Sequence, residues 1–269
     1  MSLRLSILTG LPEYFEAASA TAHIRIAQEK RAIEIDLINL RDYASDAYRS
    51  IDDEPYGGGG GMVLKPEPVW KALAALHALP DITQTDSEES REGEVRPKAV
   101  KKIPWVVLPT PKGKRLKQDD FVRLSGKEHI VFLCSRYKGI DERIRGWVDE
   151  ELSLGDYVIG GGELAALVVI EGIVRLLDGV VGARESVETD SYTCGMLSAP
   201  VYTRPEEFNS ERVPAVLLSG HHAEIERWRR KKIIELTLAR RPDLLAKMRL
   251  DKDDETLLSE VISEQACRS

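Results

Sequence analysis

Cysteine is scarce in this sequence. Among 269 residues there are only Cys134, Cys194 and Cys267, far apart and without C-x-x-C spacing. That excludes a disulfide framework and a cysteine zinc site, and it fits a reducing compartment. No apolar run approaches the roughly 20 residues that span a bilayer. No secretory pattern precedes the strand-like run that opens at Leu3, so a cytoplasmic location with no membrane partner is expected. The familiar catalytic signatures are missing too: there is no H-E-x-x-H, no G-x-S-x-G, and no glycine loop followed by Lys-Ser/Thr. Adjacent histidines point apart on a helix, which makes His221 and His222 turn or cap residues rather than a metal pair. No protein metal site is expected. An excess of positive charge is also lacking. The formal net charge is −7, which as a sum argues against a nucleic-acid partner.

Hydrophobic residues at 42% and charged residues at 31% are ordinary for a globular chain long enough for two domains. Apolar alternation predicts strands from Leu3 and across Ile33–Ile38, and a helix from Pro66 to Leu79. Compact apolar runs predict further strands at Trp105–Leu108, ending at Pro109, at Ile130–Leu133, and at Tyr157–Ile159. Helices are expected over Ile140–Trp147 and over Glu163–Leu177. The second of these is so apolar that it must be buried in a core or an interface. Residues 80–104 are polar and read as a surface insertion. Such alternation argues for an α/β domain on a parallel sheet over residues 1–178. A long Gly/Ser/Thr/Pro stretch over 179–213 reads as a linker or functional loop. A helical domain follows over 214–269, with Pro242 and Asp251 dividing three helices.

The glycine run Gly57 to Gly61 sits inside the first domain. It reads either as a flexible linker or as bare backbone that lets a planar ligand approach. Three strands end in Leu108-Pro109-Thr110-Pro111, Cys134-Ser135-Arg136-Tyr137 and Gly160-Gly161-Gly162. Ligands of open α/β sheets lie beyond such ends, although three ordinary tight turns would read the same way. Asp190 on the polar loop and Arg175 near the end of an apolar helix are, taken singly, an ordinary loop acid and a snorkelling cation. Between Arg227 and Arg249 nine basic residues (Arg227, Arg229, Arg230, Lys231, Lys232, Arg240, Arg241, Lys247 and Arg249) face only Glu235 and Asp243. Such a patch can grip a phosphate backbone, but from charge alone a solvated helix face is the simpler reading.

Read in order, Asp52-Asp53-Glu54-Pro55-Tyr56 with its glycines, Arg136-Tyr137 with Gly139-Ile140-Asp141-Glu142-Arg143, Gly155-Asp156-Tyr157-Val158, Gly161-Gly162-Glu163-Leu164, Tyr202-Thr203-Arg204-Pro205, and Pro214 through Ser219-Gly220 to Trp228 span nearly the whole chain. Together they resemble the TrmD family of tRNA (guanine-N1)-methyltransferases, in the trefoil-knotted SPOUT class. The resemblance implies a deep knot in the first domain, S-adenosylmethionine and Mg²⁺ as cofactors, a homodimer with shared active sites, and tRNA rather than DNA as partner. Carried over by motif, the cofactor pocket falls on Leu108, Pro109, Thr110, Pro111, Ser135, Tyr137, Ser153, Leu154, Gly155, Tyr157, Val158, Gly160, Gly161 and Gly162. Gly59 and Lys138 fall beside the target base, and the basic helices, with Arg229 and Lys232, take the tRNA backbone.

The resemblance places the general base on Asp190 and the catalytic arginine on Arg175. It implies methylation of N1 of the guanine immediately 3′ of the anticodon. Asp190 would accept the N1 proton and Arg175 would stabilise charge moving to O6. The chain departs from the family pattern at Ser135 for a glycine, Lys138 for an acidic residue, Gly160 for a serine and Ala165 for a proline. The competing readings are a related SPOUT enzyme acting on another nucleotide, and a noncatalytic RNA-binding protein. The pairing of Arg175 and Asp190 with a cofactor pocket counts against the second.

Overall fold

In the computed structural model, residues 2–79, 104–182 and 188–267 are described. Residues 80–103, the bulk of the expected insertion, lie outside the described residues. The chain divides into two compact units, Met1–Gly182 and Ala183–Ser269.

The first unit is built on a five-stranded sheet of β1 (Leu3–Thr9), β2 (Ile33–Asn39), β5 (Trp105–Arg115), β6 (His129–Leu133) and β7 (Glu150–Ser153). The order is β2-β1-β6-β5-β7, and every pairing is parallel. A parallel sheet is covered on both faces, which is why its central strands are continuous apolar runs. Alternate side chains go to opposite cores. Leu3, Leu5, Ile7, Val107, Ile130 and Phe132 enter one, while Leu8, Val106, Leu108, Val131 and Leu133 enter the other. The first core is closed by α1 (Glu13–Ser19), α2 (Ala22–Glu29), α4 (Gln118–Ser125) and α5 (Gly162–Val174). The second is closed by α3 (Pro66–Ala75) and a 3₁₀ helix at Glu142–Trp147. A minor antiparallel pair, β3 (Asp52–Asp53) with β4 (Val63–Leu64), brackets the glycine run.

Three expectations are corrected. β5 does not end at Pro109 but runs to Arg115, with its register against β7 slipping between Pro109 and Lys114. Prolines 109 and 111 have no N–H to donate, so the strand leaves the ladder there and rejoins it at Lys114. The strand expected at Tyr157–Ile159 is a loop, and the edge strand is Glu150–Ser153 instead. Those apolar side chains face outward, with Val158 81% exposed, and contribute nothing to the core. The helix expected over Ile140–Trp147 is a 3₁₀ helix, begun by the Asp141 side chain accepting from Arg143 N at 2.9 Å.

Helix α5 buries Ala166, Val169, Ile170, Ile173 and Val174 in the first core. Gly172 lies so near the Phe121 ring of α4 that a Cβ would stand 2.6 Å from it. Its other face leaves Leu164 and Val168 about half exposed.

The second unit carries a hairpin of β8 (Glu207–Phe208) and β9 (Glu211–Arg212), then helices α6 (Ala215–Leu218), α7 (His222–Arg240), α8 (Pro242–Leu245) and α9 (Lys252–Ala266). Pro242 opens α8, and the Asp251 side chain caps α9 by accepting from Asp254 N at 2.8 Å, so both residues mark helix boundaries as expected. Its small core gathers Met196, Ile234, Leu245 and Leu257. Thr237 is buried within it, donating to Ile233 O at 2.7 Å and accepting from Leu197 N at 3.1 Å.

Candidate active site

Three segments wall one cavity, a mid-strand excursion of β5 and the stretches beyond the carboxyl ends of β6 and β7. The excursion of β5 supplies Pro109, Thr110 and Pro111. The loop after β6 supplies Ser135 and Tyr137. The segment from the end of β7 into α5 supplies Ser153, Leu154, Tyr157, Val158 and Gly160 to Gly162. These are the residues grouped from the sequence, apart from two. Leu108 points into the second core, and Gly155 is not among the lining residues. Gly155 closes a turn with Ser153, whose Oγ donates to Gly155 O at 3.1 Å and accepts from Gly155 N at 3.2 Å. Lys112, Arg136, Gly139, Leu152, Ile159 and Ala165 also line the cavity and lie outside the pocket expected from the sequence. For Lys112, Arg136, Leu152 and Ile159, adjacency to Pro111, Ser135, Ser153 and Gly160 was the available signal.

Absent side chains shape the wall. At Gly162 a Cβ would stand 3.1 Å from Cys134 Cα, where the start of α5 crosses the end of β6. Gly162 N donates to Ser135 O at 2.9 Å, and Arg136 bridges to Gly161. Beneath the wall, Glu163 is buried and accepts from Thr9 Oγ1 at 3.0 Å and from Arg136 Nη1 at 3.3 Å. Burial opposes the Arg136 charge, but Tyr14 and Glu163 more than offset it, so its pKa is raised. Burial, reinforced by Glu163, pushes the Cys134 thiol well above its ordinary value, which makes it inert as a nucleophile.

The glycine run reaches this cavity through a backbone ladder. Lys138 N donates to Met62 O, Leu64 N to Gly139 O, and Asp141 N to Leu64 O, each at 3.0 Å. Lys138 lines the cavity as well, so the strip from Gly57 to Gly61 adjoins its rim. Gly57, Gly58, Gly59 and Gly61 all have positive φ, and nothing lies within 4 Å of a Cβ at Gly59. The run is therefore shaped backbone and not a linker.

Arg175 caps α5, its N–H reaching Glu171 O at 3.3 Å, in the first unit. Asp190 belongs to the second unit, in a turn where its carbonyl accepts from Thr193 N at 3.3 Å.

Much of the basic run over 227–249 is paired with carboxylates, some of them from outside the run. Arg227 pairs with Glu260, Arg229 with Glu226, Arg230 with Asp254, Lys231 with Glu260 and Glu264, Lys232 with Glu235, and Arg241 with Asp243. Helix α9 thus neutralises much of α7. Arg240, Lys247 and Arg249 have no carboxylate within 4 Å among the described residues. Arg229 and Lys232 are exposed or half-buried but paired along their own helix.

The family model of tRNA (guanine-1)-methyltransferase TrmD matches residues 3–247. The chain belongs to the TrmD family. Among curated relatives, the tRNA (guanine-N(1)-)-methyltransferase of Geobacter sulfurreducens is 45% identical, over 96% of this chain and 97% of that protein. Proteins of the same name from Dictyoglomus turgidum and Bacillus cereus are 40% and 41% identical, over 97% and 98% of this chain and 98% and 100% of their own lengths. Among the described residues, no helix of this TrmD-family chain is long and apolar enough to cross a membrane. Nor is any cluster of three or more His, Cys, Asp or Glu residues arranged to hold a metal ion.

Proposed function

We propose that this chain transfers a methyl group from S-adenosylmethionine to N1 of the guanine immediately 3′ of the anticodon in tRNA. The observation that carries the reading is the cavity walled by the β5 excursion and the ends of β6 and β7, beside a left-handed glycine strip, in a chain of the TrmD family. A wall with bare backbone at Gly160, Gly161 and Gly162 suits a ligand gripped by N–H and C=O groups, as an adenosine requires. When bound, the cofactor supplies an electrophilic methyl on its sulfonium. The chain's own residues do the rest. The cavity fixes the line of approach, and the glycine strip admits a base extruded from its stack. Asp190 accepts the N1 proton, and Arg175 stabilises the charge that moves to O6.

Residues 1–178 are read as a knotted cofactor-binding domain, 179–213 as the active-site loop, and 214–269 as a helical tRNA-binding domain. The apolar outer face of α5, with Leu164 and Val168, favours a homodimer. A cytoplasmic location fits a tRNA substrate. Mg²⁺ enters only by family resemblance. The described residues offer no carboxylate cluster for it, so no residue and no step is assigned to the ion.

The deciding experiment is methyl transfer from labelled cofactor to tRNA transcripts with guanine or adenine 3′ of the anticodon. Label should enter N1 of guanine in the first and be absent from the second. Equal labelling of both would point to a different nucleotide, and no labelling of either to a noncatalytic RNA-binding protein.

A further inference from the structure

We infer that Glu163 is a positioning residue for the cofactor cavity, acting through Arg136. The inference rests on the reading of that cavity as the S-adenosylmethionine site. Glu163 is only 1% exposed, and a buried carboxylate is costly unless it is paired and hydrogen-bonded. It stands in the first turn of α5, at the positive end of the helix dipole. Each oxygen has a separate task. Oε1 accepts from Thr9 Oγ1 at 3.0 Å, and the same hydroxyl accepts from Leu11 N at 3.0 Å, so this arm anchors the end of β1. Oε2 accepts from Arg136 Nη1 at 3.3 Å.

Arg136 lies between Ser135 and Tyr137 and lines the cavity with both. Its guanidinium also sits 5.8 Å from the centre of the Tyr14 ring, which leaves it held between α1 and α5. Glu163 does not line the cavity, and the proposed proton transfer makes no use of it. Yet the wall is built around its carboxylate. A Cβ on Gly161 would collide with Glu163 Oε2 and stand 3.0 Å from Arg136 Cγ. The glycine wall and the buried acid are one device: the acid passes under the wall, draws Arg136 inward, and so sets the course of the loop that carries Ser135 and Tyr137.

The test uses the full chain and titration calorimetry with S-adenosylmethionine. Glu163→Gln keeps the size and the acceptor for Thr9 but removes the charge that holds Arg136. Cofactor affinity should fall about tenfold or more, with KM for the cofactor rising in parallel while kcat and KM for tRNA move by less than about twofold. Arg136→Met should reproduce the loss, and the double variant should add little to it, because both changes break one contact. A lowered melting temperature with unchanged cofactor affinity would show a merely structural ion pair and overturn the inference. Should Glu163→Gln fail to fold, Thr9→Val breaks the other arm. It should weaken cofactor binding in the same direction, and unchanged affinity there also overturns the role. A parent protein that binds no cofactor removes the cavity assignment itself. Binding by the parent with equal affinity in the variants removes only Glu163.

Discussion

The aliphatic stem of Lys138 lies across Gly61, so close that a Cβ on the glycine would stand 2.9 Å from Lys138 Cγ. Gly61 also has φ of +94°, where an L-residue is strained. Its neighbour Gly60 has no positive φ and nothing within 4 Å of a Cβ. Gly61→Ala should therefore cost about 1–2 kcal/mol and displace Lys138 from the cavity rim, whereas Gly60→Ala should be near neutral. Paired thermal melts and transfer assays check this, and equal behaviour of the two variants would refute it.

Gly161→Val places a branched side chain where Glu163 and Arg136 already are. S-adenosylmethionine affinity should drop by at least about tenfold in a folded variant. Calorimetry showing parental affinity would detach this wall from the cofactor.

Asp120 is buried, and burial pushes its carboxyl up. Hydrogen bonds from Lys114, from Arg123 and from Lys117 N–H outweigh that and hold it below its ordinary value. A depressed native pKa contributes stability above the unfolded value of about 4, and that contribution is lost as pH falls through the native pKa. Asp120→Asn should cost about 2 kcal/mol near neutrality, and the gap to the parent should close in acid below about pH 4. Denaturant melts across that range measure it; a gap constant down to strong acid would deny the charge a role.

The tRNA grip should depend most on the cations that α9 leaves unpaired. Neutralising Arg240, Lys247 or Arg249 should each lower the slope of log affinity against log salt by up to about 1. Neutralising Arg230, whose guanidinium forks onto Asp254 at 2.7 and 2.5 Å, should change the slope little and unfold the second unit more easily. The reverse ranking in filter-binding titrations would mean that the ion pairs open on binding.

Asp190→Asn keeps size and most hydrogen bonding but removes the proton-accepting charge. Cofactor binding should persist while single-turnover methyl transfer falls about 10²-fold or more. Mixed dimers pairing this variant with one crippled at Gly161 should regain one working site if the dimer shares its sites. Full activity in the Asp190→Asn protein would remove the residue from the mechanism.

The parts of the fold that were legible are those whose signal is local. Val106-Val107-Leu108 and Ile130 to Leu133 read as strands because a sheet buried on both faces needs unbroken apolar runs. Pro242 and Asp251 read as helix boundaries because their backbone and capping chemistry is local too. Tyr157-Val158-Ile159 read as a strand for the same reason, and wrongly. An apolar triplet on a cavity loop has the same pattern as one in a core. The pairing of the basic run over 227–249 was only partly legible, because three of its neutralising acids, Asp254, Glu260 and Glu264, come later in the chain, on α9.

By itself, then, the sequence determined where strands alternate with helices and where backbone is left bare. Periodicity and the permissiveness of glycine act over a few residues and survive in a one-dimensional reading. Only the tertiary structure decided that Leu108 and Gly155 stay out of the cavity wall, that Lys138 lies on Gly61, and that Glu163 runs beneath the cavity to Arg136. It also decided which cations have no carboxylate within 4 Å among the described residues. Each of these depends on segments apart along the chain, set by how the parallel sheet brings the β5 excursion beside the ends of β6 and β7 and by which charges packing brings within reach.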